Sequence, residues 1–175
     1  KSLIHQDIMN GEGVCFIDPH GETAEELLEL IPRERADDVI YFNPGDIARP
    51  LGLNMLEYDE RYPEQKTFVV NELFSIFQKL YGAIPESMGP MFEQYFRNAT
   101  LLVMDDPSSG NTLLEIERVM ADKDFRALKL SRTKNVVVRT FWEDIAEKAG
   151  GEASLQNMVP YITSKFDIFL ANEIM

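Results

Sequence analysis

The string Ile17-Asp18-Pro19-His20-Gly21-Glu22 sets an acid, an imidazole and a second acid within five positions, with Pro19 and Gly21 fixing the turn between them. Such a set can orient a water molecule or a metal-bound phosphate. A structural reading competes with it: Asp18 and Glu22 stand at the start of a helix, where its dipole favours acids, and His20 is then merely exposed. Asp-x-His also occurs at strand ends in binuclear-metal phosphoesterases. Those sites need several further His, Asp and Asn ligands, whereas the only other histidine here is His5, and no second cluster follows. One Cys with two His is too thin for structural zinc, so no metal ligands are expected. Gly-x-Ser-x-Gly is absent, and Cys15 lies within an apolar run as a small hydrophobe.

A second candidate is electrostatic. Between Arg118 and Arg139 the chain collects Arg118, Lys123, Arg126, Lys129, Arg132, Lys134 and Arg139 against Asp122 and Asp124, a local charge of +5. Elsewhere acids prevail: residues 1–65 carry −10, 66–150 carry −1 and 151–175 carry −2, for −13 in all. Phosphate binding needs local positive potential, so only the basic window could meet nucleic acid, and a solvated helix face accounts for the same charges.

The elements that would position these groups follow from periodicity. Leu3, Ile4 and Ile8 have helical spacing and Asn10-Gly11 ends that helix. Val14 to Ile17, between Gly13 and Asp18-Pro19, is expected to be a strand buried on both faces. Thr23 with Glu26 forms a capping box ahead of the stripe Ala24, Leu27, Leu28 and Ile31, which Pro32 closes. Val39 to Phe42 supplies another strand, stopped by Asn43-Pro44-Gly45-Asp46, and the spacing is that of a strand-helix-strand unit with a parallel sheet. From Pro63 helices take over: Pro63 to Leu80, Met91 to Met104, Thr112/Glu115 to Met120, Asp124 to Leu130, Val136 to Ala149 stopped by Gly150-Gly151, and Ser154 to Asn172 with Pro160 as a kink or break. The predicted fold class is α/β, a short core of two or three strands followed by a mostly α-helical domain. Its divisions are 1–62, 63–150 and a returning helix at 151–175.

Composition agrees with a folded chain: 175 residues at 45% hydrophobic and 27% charged exclude a disordered tail. Apolar runs reach only four residues, whereas a membrane-spanning helix needs about 20. A single cysteine and no visible secretory signal fit a reducing, cytoplasmic compartment, and the start at Lys1 without Met suggests an excised piece.

GVCFIDPHGETAEELLELIP, DDVIYFNPGD and PLGLNML resemble the region after the P-loop helix in conjugative coupling-type ATPases of type IV secretion systems, a branch of the HerA-like and FtsK-like DNA motors. GPMFEQYFRNATLLVMDDP, TLLEIERVMADKDFRAL, VVVRTFWEDIA and ITSKFDIFLANEIM resemble the all-helical domain those ATPases insert in their RecA-like core. Strings occur in the family's order over nearly the whole chain. Where the family usually has Asp, Glu22 stands, and neither Gly-x-x-x-x-Gly-Lys-Ser/Thr nor an apolar strand ending in Asp-Glu is present.

The resemblance implies an internal fragment of a P-loop ATPase, a partial RecA-like core plus the helical insertion, lacking its Walker A and Walker B segments. The parent would hydrolyse ATP with Mg²⁺ as a homo-hexamer, an anchor at the inner membrane being compatible with the resemblance, to move or load DNA. This chain alone would be inactive and hold neither cofactor. Asp18 or Glu22 would polarise the attacking water or its metal, and His20 would sense the phosphate. Arg126, Lys129, Arg132 and Lys134 would meet the backbone of entering DNA. Alternatively, the helical half is a recognition module for secretion-substrate or relaxosome proteins, which its acidic surface suits, or simply shapes the ring.

Overall fold

The structure, a computed structural model, describes residues 1–84, 87–146, 148 and 151–170, and it divides into two units, Lys1–Gly45 and Asp46–Met175.

In the first unit, α1 (Ser2–Met9) ends at Gly11, whose φ of 83° is the left-handed conformation expected of the Asn10-Gly11 stop. α2 (Glu22–Leu28) follows a turn at Gly21, φ 84°, and a 3₁₀ segment covers Arg33–Asp38. The apolar stripe on α2 buries Leu27, the one buried apolar side chain of this unit. Arg35 ties the pieces together, its Nη1 donating to the carbonyls of Ile8 (2.8 Å) and Glu12 (3.1 Å).

No strand occurs among the described residues, which corrects the α/β expectation and its RecA-like core of two or three strands. Val14 to Ile17 and Val39 to Phe42 are neither helix nor strand, and Ile17 and Ile40 are each 83% exposed. A four-residue apolar run shows only that the segment is not an amphipathic helix. Making it a strand requires a neighbour to take its N–H and C=O groups, and neither run has a ladder partner here.

The second unit is helical: α3 (Gln65–Tyr81), α4 (Pro90–Met104), α5 (Leu113–Ala121), α6 (Lys123–Arg132), α7 (Val136–Thr140), a π-helical turn at Phe141–Ala146, α8 (Gly151–Thr163) and α9 (Asp167–Leu170). α4 lies at the centre, packed against α3, α5, α6, α7 and α8. Its Phe92, Phe96, Ala99, Leu102 and Val103 are fully buried, and Phe77 from α3 meets Phe96 at 5.4 Å and Phe166 at 4.9 Å between ring centroids. Pro90 opens α4 where its missing N–H costs nothing, and the predicted Thr112/Glu115 capping box opens α5.

Three boundaries differ from those read in the sequence. The segment 46–62 belongs with the helical unit: Leu56 is fully buried, the Asn54 side-chain amide donates to the carbonyl of Asn111 and the Asn111 side-chain amide donates to the carbonyl of Leu56, which ties the segment to the chain before α5. The helix expected from Val136 gives way at Phe141 to the π-turn, while Ala149 and Gly150 lie outside the described residues, and Gly151 begins α8 instead of ending the element before it. Pro160 is accommodated inside α8, and the break comes at Ser164 to Phe166; Asn172 lies outside the described residues.

Candidate functional site

The Asp18–Glu22 turn is organised around the Asp18 carboxylate. Its Oδ1 accepts from the N–H of His20 (3.0 Å), and its Oδ2 from those of Thr23 (2.9 Å) and Ala24 (3.1 Å), the opening amides of α2. These bonds hold Asp18 below the usual carboxylate range, the His20 amide contributing most, against a smaller opposing effect of burial. Asp18 therefore does the capping that the sequence assigns to Thr23 and Glu26, while Glu26 pairs with Lys1. His20 and Glu22 are exposed. The first unit's cavity, about 280 Å³, is lined by Ile4, Ile8, Phe16 and Leu27 among others, with Glu12, Arg35 and Asp38 as its charged members; Asp18, His20 and Glu22 are not in its wall.

Phosphate binding at the start of α2 would need the amides that Asp18 already takes. Among the described residues no three His, Cys, Asp or Glu side chains converge on a metal position.

The four basic residues divide into two kinds. Arg126 and Lys129 are fully buried. Arg126 Nη1 donates to the carbonyls of Val119 (3.0 Å) and Met120 (3.2 Å), capping the last turn of α5, and its guanidinium lies 5.7 Å from the Trp142 ring centroid. Lys129 Nζ donates to three carbonyls: Val103 (2.9 Å) at the end of α4, Asp106 (2.7 Å) and Gly110 (2.6 Å). Burial lowers its pKa, opposed by the charges of Asp106 and Glu115. Both cations act as interior caps of neighbouring helices and cannot reach a passing phosphate.

Arg132 and Lys134 are exposed. Arg132 pairs with Asp106 at 2.7 Å. Burial pushes Asp106 upward, but the hydroxyls of Ser108 and Ser109 and the Arg132 guanidinium outweigh it and bring its pKa down to about 2. Nearby, Arg118 pairs with Asp122, and Arg139 donates to the carbonyls of Leu130 and Thr133. Much of the +5 window is thus spent inside the helical unit.

The interior cations carry a signal in the sequence that charge counting misses. In α6 the buried positions are Phe125, Arg126, Lys129 and Leu130, the i, i+1, i+4, i+5 pattern of an amphipathic stripe. A helix between apolar neighbours must bury one face, and on α6 that face includes two cations whose long stems pack while their heads find carbonyls.

No family model, curated protein or solved structure matches the chain.

Proposed function

We propose that the chain is part of an ATP-driven motor that couples DNA to conjugation or type IV secretion, and that its helical unit works there by recognising protein instead of gripping DNA. The motor assignment is supported by the order and extent of the strings that resemble coupling ATPases. The observation that carries protein recognition is the interior position of Arg126 and Lys129. With these two removed from the surface and Arg132 held by Asp106, little positive potential remains on a chain of net −13. An acidic surface of this kind suits basic proteins, here relaxosome components or secretion substrates. In the parent, a hexamer, ATP and Mg²⁺ are bound by other segments, because this sequence has no Gly-x-x-x-x-Gly-Lys-Ser/Thr.

Fluorescence anisotropy with labelled duplex DNA, run beside pull-downs with relaxosome and secretion-substrate proteins, separates the readings. Expected is retention of a basic partner and DNA binding that disappears near physiological ionic strength. Tight DNA binding at that salt, weakened by Arg132→Glu with Lys134→Glu, would return the basic window to a DNA-contacting role.

A further inference from the structure

α3 carries a row of exposed residues at four-residue spacing: Glu64 at its N-cap, then Phe68, Glu72, Ile76 and Leu80. Residues so spaced form one continuous ridge on a helix surface. Its apolar members are open to solvent, Phe68 at 64%, Ile76 at 39% and Leu80 at 46%, while the opposite face of α3 buries Val70, Leu73, Phe74 and Phe77 in the core. A benzyl group this exposed is not needed for folding, since the core face is already complete. Neither Glu64 nor Glu72 forms an ion pair with a described residue, although Lys79, in the last turn, shares the exposed side of the helix.

We propose that this ridge is the docking surface of the helical unit and that its occupant is a basic amphipathic helix of a partner protein. This rests on the protein-recognition reading above and names the surface and the partner's chemistry. Alternating acid and apolar groups select such an occupant on two counts. Leu- or Ile-sized side chains fill the intervals beside Phe68, Ile76 and Leu80, as ridges of two helices interdigitate. Lys or Arg side chains on the same face meet Glu64 and Glu72, neither of which is ion-paired among the described residues. An acidic helix would be repelled by both glutamates, and duplex DNA by the same charges.

The test uses the full chain and two labelled amphipathic peptides of about five helical turns, one of Leu and Lys and one of Leu and Glu in the same pattern. Phe68→Ala with Ile76→Ala removes the apolar anchors, Glu64→Lys with Glu72→Lys reverses the acids, and Glu25→Lys with Glu29→Lys makes the same charge change on α2. Circular dichroism checks each fold. Expected is binding of the Leu/Lys peptide only, weakened by about tenfold or more in both ridge variants and by less than about twofold in the α2 variant. Equal binding by wild type and ridge variants, or equal loss in the α2 variant, overturns the ridge while leaving protein recognition standing. Failure of both peptides to bind, with DNA bound at physiological salt, overturns both. A wild-type dimer by light scattering that Phe68→Ala dissociates would make the occupant a second copy of this chain and overturn the proposal.

Discussion

Lys129 and Lys134 lie five positions apart and have opposite roles, which a pair of substitutions separates. Removing the Lys129 ammonium takes the donor from the buried carbonyl of Val103 and from the half-buried carbonyls of Asp106 and Gly110. Lys129→Met, which keeps most of the stem, is expected to lower unfolding free energy by about 2 to 4 kcal/mol in urea titrations. Lys134→Ala, at an exposed position, should change it by no more than about 0.5 kcal/mol. Equal effects would mean that the ammonium does not hold these carbonyls. Nothing in the residue type distinguishes the two lysines. Only the burial stripe of α6 does, and charge summed over a window is blind to that stripe.

At the scale of elements, the cap of α2 is the feature most open to test. Asp18 titrates below the usual carboxylate range, so its contribution to α2 is present above that range and is lost as pH falls through the folded-state value. Amide exchange at Thr23 and Ala24, normalised to unstructured rates, should show protection near neutral pH that fades below about pH 4. Asp18→Ala should remove that protection at every pH, and Asp18→Asn, which keeps one acceptor oxygen, should remove less. Unchanged protection in Asp18→Ala would take the carboxylate out of the capping role. Elements with a clear 3.6-residue period were legible: α3, α4, α5 and α6 begin and end within a few residues of where their apolar stripes place them. The runs at Val14 and Val39 were not, because continuous apolarity carries no period and strand formation depends on a neighbour that the run itself does not encode. The turn at Asp18 was legible in composition but ambiguous in role, since the acids that suit catalysis also suit a helix N-terminus.

Across the whole molecule the two units differ sharply in how much they bury. The first relies on Leu27 alone, whereas the second encloses Phe77, Phe92, Phe96, Trp142 and Phe166 at no more than 1% exposure. Hydrogen exchange should therefore show amides of α1 and α2 opening at a free energy at least about 2 kcal/mol below those of α4, which open only with the second unit's core. Comparable protection in both would mean that the first unit is held by more than its own side chains.

The three-carbonyl seat of Lys129 also bears on how the helical unit comes apart. A single ammonium joins the end of α4, the turn at Asp106 and the approach to α5, so undocking α6 takes one shared donor from all three places at once. Gly110 shapes one of these acceptors: its φ of 105° presents the carbonyl in a conformation that a residue with a Cβ adopts only under strain. States with α6 detached and the α4–α5 connection intact are thus costly, and loss of these pieces is concerted.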